Sequence, residues 1–319
     1  MPRTSRIPTR AAAVPRSRLG TGATNGPRVR IPKLAPWLAF AILFAAEPVG
    51  AQWSGPFTAR FFGMAQNSVT SSASTGDTLW IGPGMNHRLA PGLDWIPPEG
   101  ADSVFAGRGR VFSLDVNGDT LFAGVGATIE AAGGSEPAAL GYYLTYDSGR
   151  EWAFLPFPLD PQPTVQGCAQ ASETIPAGCD TTFTYGGRQY DRIRVTVAAQ
   201  SPPYVVDRDG DVLMSVNWAS GLLRSLDAGA TWDRMPLPPF NVTEMVPDRE
   251  YTWVSQTSGG TSVERYDPRF DNNLLGFGLL LDAEGRTWVG TAGGVNVSEN
   301  ARNEPLDRVS WRHIRHRSD

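Results

Sequence analysis

The sequence predicts an all-β fold built from repeats, and three observations predict it. Short runs rich in β-branched and aromatic residues are separated by Gly, Asp, Asn and Pro turns, and long helical periodicities are missing. An octet of the form Ser/Thr-x-Asp-x-Gly-x-x-Trp occurs twice, at 145–152 and at 225–232. A turn followed by a strand recurs from Gly76, Gly118, Gly210 and Gly285. Repeats of about 40–50 residues with such turns predict a β-propeller of four-stranded blades.

Each fixed residue of the octet has a physical reason. The hydroxyls of Thr145 and Ser225 and the carboxylates of Asp147 and Asp227 can bond backbone amides one or two residues on, which closes a turn locally. Gly149 and Gly229 suit positive φ. Trp152 and Trp232 open the return strand and offer a large apolar face to a neighbouring sheet. A degraded third copy runs from Ser298 to Trp311, with Asn300 in the Asp position and an inserted loop. The three tryptophans are 80 and 79 residues apart.

These octets resemble the Asp-box (BNR) repeats of the sialidase-like β-propellers. The resemblance implies a structural role for Thr145, Asp147, Gly149, Trp152, Ser225, Asp227, Gly229 and Trp232, at a rim away from any binding face. The phrase Gly285-Arg286-Thr287-Trp288-Val289-Gly290-Thr291, followed by a Gly-rich turn, is similar to the repeats of two-component-regulator propellers.

Residues 1–51 read as a secretory signal with a long basic leader. Seven Arg and one Lys precede a 13-residue apolar run, Leu34 to Ala46, and Val49-Gly50-Ala51 supplies small residues for cleavage before Gln52. The run is short and interrupted by Pro36, so an uncleaved anchor is the secondary reading. The remainder, 52–319, is then a propeller domain with no membrane span, exported to the medium, the periplasm or the cell surface. It carries 20 Arg, no Lys and 31 acids, which argues against nucleic acid as a partner.

Counting Tyr251 to Asp267 as a blade without an octet, about five blades are visible. Propellers of the families named usually have six to eight, so the ring either closes with five or is incomplete in this chain, and the second is the expectation. An insertion near 161–189 holds Cys168 and Cys179, which are expected to form a disulfide in an exported protein.

Chemistry is sparse. The sialidase resemblance implies an arginine triad, a Tyr–Glu nucleophile and an acidic proton donor, and no spacing marks them. Arg6-Ile7-Pro8 and Arg30-Ile31-Pro32 match a sialidase phrase but lie in the leader. Glu130, Glu136, Glu173 and Glu244 are candidate glycosidase acids that read as surface carboxylates. Asp207-Arg208-Asp209-Gly210-Asp211 resembles half a calcium loop but lacks the closing Glu, and reads as a turn. His87, His313 and His316 mark no metal site. No catalytic, cofactor-binding or metal residue is assigned. The expected function is a non-catalytic binding module for a glycan or an extracellular protein. A sialidase-like glycoside hydrolase and the sensory ectodomain of a longer protein are the alternatives, and the oligomeric state is left open.

Overall fold

The computed structural model describes residues 70–75, 78–82, 86–89, 95–96, 109–131, 134–162, 180–256 and 261–315. The leader, Cys168, Cys179, Glu173, His316 and the side chain of His87 lie outside the described residues, and so does the expected disulfide. What is described is nearly all β. One 3-10 turn, Leu306–Arg308, is its only helical element among the described residues, and none of its helices is long and apolar enough to cross a membrane.

Four antiparallel sheets run as four-stranded meanders in chain order. Sheet I holds β1 (Ser72–Thr75), β2 (Thr78–Ile81), β3 (Asn86–Leu89) and β4 (Trp95–Ile96). Sheet II holds β5 (Arg110–Asn117), β6 (Thr120–Ala131), β7 (Gly134–Thr145) and β8 (Ala153–Pro156). After the hairpin of β9 (Asp180–Tyr185) and β10 (Arg188–Ile193), sheet III holds β11 (Pro203–Asp209), β12 (Val212–Asn217), β13 (Gly221–Ser225) and β14 (Asp233–Met235). Then come β15 (Glu244–Met245) and the hairpin of β16 (Val254–Gln256) and β17 (Ser262–Glu264). Sheet IV holds β18 (Gly276–Leu281), β19 (Thr287–Thr291), β20 (Gly294–Ser298) and β21 (Trp311–Ile314), and β15 extends its edge.

One expectation changes. Among the described residues of 251–267 there is no four-stranded sheet, because β16 and β17 have three residues each and pair only with one another as strands. The end of the 161–189 insertion runs into the β9–β10 hairpin, which pairs over six residues across Gly186-Gly187, at φ 57° and 72°. Positive φ at both central residues gives a two-residue turn the twist its flanking strands need. A parallel bridge between Arg192 and Tyr266 joins the two hairpins, with Ile193 N–H donating to the Tyr266 carbonyl and Tyr266 N–H to that of Asp191.

The first strand of each sheet packs on the first strand of the next: β1 on β5, β5 on β11, β11 on β18. Between sheets II and III the core is Phe122, Tyr142, Leu144, Val206, Leu213 and Leu223. Between III and IV, Met214, Val216 and Leu222 meet Leu274 and Val289, and this core continues into the joined hairpins through Phe183, Trp253 and Tyr266. Arg224, 1% exposed, donates to the Ala301 and Glu304 carbonyls and to Asp233, tying sheet III to the loop after β20. A buried guanidinium is tolerable here because both of its terminal nitrogens have acceptors, while its Nε is buried without a partner.

Candidate ligand-binding face

The two octets fold alike. Thr145 Oγ1 donates to Asp147 Oδ1 (2.7 Å) and accepts from Gly149 N–H (3.0 Å), while Asp147 Oδ1 accepts from Arg150 and Glu151 N–H (3.0 Å each). Ser225 Oγ donates to Asp227 Oδ1 (2.8 Å) and accepts from Gly229 N–H (2.8 Å), while Asp227 accepts from the backbone and hydroxyl of Thr231 (2.8 and 2.7 Å). Trp152 and Trp232 each return an indole N–H to the octet glycine's carbonyl, at 2.9 and 3.1 Å. Positive φ falls on Gly149 and Gly229 and also on the residues before them, Ser148 and Ala228. The amides of those two residues donate to Asp119 and Asp211, so each octet clamps the turn at the end of its sheet's first hairpin. In the third copy, Asn300 Oδ1 accepts from Ser298 Oγ and from Ser310 N–H across the inserted loop.

The other ends of the strands carry a different construction. The first strands of sheets II, III and IV each contain a β-bulge, between Val111 and Ser113, Pro203 and Val205, and Gly276 and Gly278. The bulged residue is aromatic each time: Phe112, Tyr204 and Phe277. A bulge re-aims one side chain out of the alternation of its strand. Because β5, β11 and β18 are neighbours, the three rings gather, with Phe112–Tyr204 centroids 6.3 Å apart and Tyr204–Phe277 6.2 Å apart. Trp218, in the turn between β12 and β13, joins them at 6.4 Å from Tyr204 and 5.8 Å from Phe277. Trp218 is 39% and Phe277 47% exposed. The Arg110 guanidinium lies 4.4 Å from the Phe112 centroid, and its Nε is buried without a hydrogen-bond partner. In the sequence Trp218, like Trp80, Trp95, Trp253 and Trp288, reads as either a sugar platform or inter-blade packing, with packing favoured for those within strands, and Tyr204 has no marked spacing; Phe112, Phe277 and Arg110 carry no signal there.

The sequence-level acids are not brought together. Glu130 accepts from Ser135 and Glu136 from Gln200, both beside the β6–β7 hairpin, while Glu244 pairs with Arg249 on β15. Asp207 accepts from Leu281 N–H and Asp209 pairs with Arg302, so these oxygens do not converge on one point. Among the described residues no group of three His, Cys, Asp or Glu is arranged to hold a metal. His313 is buried between the Val242 and Gly293 carbonyls.

A cleft of about 280 Å³ includes Asp160, Arg192, Trp232 and Arg234 in its lining. Burial alone would raise the Asp160 pKa, but the Arg192 fork at 2.7 Å, Arg234 and the Val195 amide outweigh it and hold the carboxylate ionised. Burial pulls Arg234 down to about 10, against Asp160. These charges satisfy one another, which makes the cleft a structural ion-pair site rather than a receptive one.

No protein-family model matches the chain, and no curated protein sequence matches it significantly. Among solved structures it is similar to the GH74 xyloglucanase from Xanthomonas campestris, at 18% identity over 77% of this chain and 30% of that one, with a TM-score of 0.40. It is also similar to YCF48 bound to D1 peptide (14% identity, 76% and 67% covered, TM-score 0.29) and to YCF48 from Cyanidioschyzon merolae (11%, 77% and 71%, TM-score 0.29). The chain spans less than a third of the xyloglucanase. Xyloglucanase activity and D1-peptide binding belong to those proteins.

Proposed function

We propose that residues 52–319 are an exported, non-catalytic β-propeller module that binds a glycan through Phe112, Tyr204, Trp218 and Phe277. The propeller reading is supported by four meander sheets stacked through their first strands in chain order. The Asp-box resemblance gives the octets at the far strand ends a structural role and leaves the aromatic ends to function. Export is supported by the basic leader and apolar run.

One observation carries the ligand class: bulges at equivalent places in three consecutive first strands turn aromatic residues onto a common exposed face. A sheet gives up ladder pairing at a bulge, and doing so three times for aromatic rings of which none is buried, with Phe112 and Tyr204 half-buried and Phe277 exposed, is poorly explained by core packing. Sugar rings present flat arrays of C–H groups, whose partial positive charge suits the negative faces of aromatic rings. The half-buried Arg110, whose guanidinium lies over the Phe112 ring, sets a polar group beside these rings, which fits the pattern of an apolar lining with a few convergent polar groups.

Electrophoresis through gels containing neutral polysaccharides tests this reading. At least one polysaccharide should retard the wild-type chain, and Trp218→Ala should migrate as in a plain gel. Equal mobility of the two proteins across such a panel contradicts it.

A further inference from the structure

The contact between successive sheets repeats residue by residue. On the second strand of each sheet, one position lies opposite the first residue after the bulge: Gly124 opposite Ser113, Val216 opposite Val205, Gly290 opposite Gly278. Gly82 holds the same place in sheet I, where its amide donates to the Ser71 carbonyl and its carbonyl accepts from Thr70. That position receives the residue before the bulge from the next sheet. A Cβ on Gly82 would come 3.0 Å from Val111 Cβ, and one on Gly124 would come 2.7 Å from Pro203. Val216 in turn closes on Gly276, where a Cβ would collide with it.

Among the described residues, the fourth such socket is open. A Cβ on Gly290 would meet only Gly278 of its own sheet. Around it lies a flat apolar face of sheet IV, in which the row Gly278–Gly290–Val295–Ile314 runs beside Leu280–Trp288–Val297. Leu280 is 54% exposed, Val295 37% and Ile314 45%. The other face of the sheet, with Val289 and Thr287, is buried against sheet III.

We propose that this face docks sheet I of a second copy of the chain, so that two copies close one ring of sheets. Continuity selects the occupant. Three like faces in the chain each receive the first strand of a following sheet, and β1 is the first strand that no preceding described sheet covers. Ser72 and Ser74 are exposed and pair with Ile81 and Leu79, on the side of β1 away from the Gly82 socket. On that side of sheet I the two β1 serines are exposed while Ile81 is 4% exposed, and reciprocal docking of sheet IV on β1 by a two-fold operation gives a closed assembly rather than a filament.

Light scattering on the chain as exported, separated by size, reads the mass. The proposal requires two copies for the wild type and one for Leu280→Arg/Val295→Glu, which should keep the wild-type strand circular dichroism because both residues are exposed in a single chain, and should melt lower because it has lost the partner. A one-copy wild type over a hundredfold concentration range overturns it, as does a two-copy mass that the variant retains.

Crosslinking decides the occupant whether or not that variant folds. In the contact of sheets II and III, Val206 N–H meets Ser113 Oγ at 2.9 Å. Their equivalents are Ser72 and Gly278. An equimolar mixture of Ser72→Cys and Gly278→Cys chains should form a disulfide-linked pair that neither forms alone. No link in the mixture, or a link within Gly278→Cys alone, overturns the docking of sheet IV on sheet I.

Discussion

Trp232 stacks on Tyr142 with ring centroids 4.8 Å apart and planes 22° from parallel. Trp232 belongs to the octet of sheet III and Tyr142 to β7 of sheet II, so the octet both closes its own turn and joins two sheets. Trp232→Ala removes the stack, the indole bond to Gly229 and part of the cover over Leu155. The expected cost is about 3 kcal/mol, near the lower end for a large aromatic because the ring is only half-buried. Trp152 packs edge-on against Tyr143 of its own sheet, so Trp152→Ala should cost less. Urea unfolding of the two variants gives the order.

Ser225 is 1% exposed, and its hydroxyl serves Asp227 Oδ1 and the amides of Asp227 and Gly229. Ser225→Ala strands those amides in a buried turn, at about 1–3 kcal/mol. Ser225→Thr, the residue of the first octet, should restore most of the loss, and thermal melts of the pair check it.

Asp227 is held below the usual carboxylate range by the Thr231 hydroxyl and amide and by Ser225, and Asp147 by the Glu151 amide and Thr145. A folded-state pKa below the unfolded one means the folded state binds fewer protons. The stabilisation is therefore present above the ordinary value of about 3.9 and is lost as pH falls through the lower folded one. Asp227→Asn should flatten the acid limb of stability against pH, below about pH 4. An acid limb identical to wild type contradicts this assignment.

Asp115 behaves oppositely. Burial and the neighbouring Asp207 raise it to about 6, while Arg208 at 3.8 Å offsets them only in part. Its Oδ2 is buried without a hydrogen-bond partner. A raised folded-state pKa stabilises below the unfolded value and loses that contribution as pH rises towards about 6. Asp115→Asn should therefore melt higher than wild type at pH 7, with the gap closing by about pH 4. A gap independent of pH would contradict the assignment.

The repeats were legible because their signals are local. The octets need only Thr145–Trp152 and Ser225–Trp232, and turn glycines such as Gly118 and Gly210 head a strand in the sequence as they do in the structure. Of the aromatic face only Trp218 was open to a sugar-platform reading, and its gathering with Phe112, Tyr204 and Phe277 was not legible, because a bulge is a property of two paired strands. Phe112 and Tyr204 each stand six residues before their turn glycine, a faint trace, and the longer turn at Gly285 displaces Phe277 from that spacing. The β9–β10 hairpin was legible in principle, since Gly186-Gly187 separates two alternating runs. The shortened pairing at 251–267 was not, because it depends on a parallel bridge from Tyr266 to a strand over seventy residues earlier.

The most direct measurement is calorimetric titration of the exported chain with the polysaccharide that retards it, beside Trp218→Ala, Phe277→Ala and Trp152→Ala. The account predicts that each of the first two weakens binding by more than about tenfold, as truncation of central aromatic anchors does. It predicts that Trp152→Ala, at the octet end, binds as wild type. Unchanged affinity in Trp218→Ala and Phe277→Ala, or a loss confined to Trp152→Ala, would contradict the assignment of the aromatic face as the binding site.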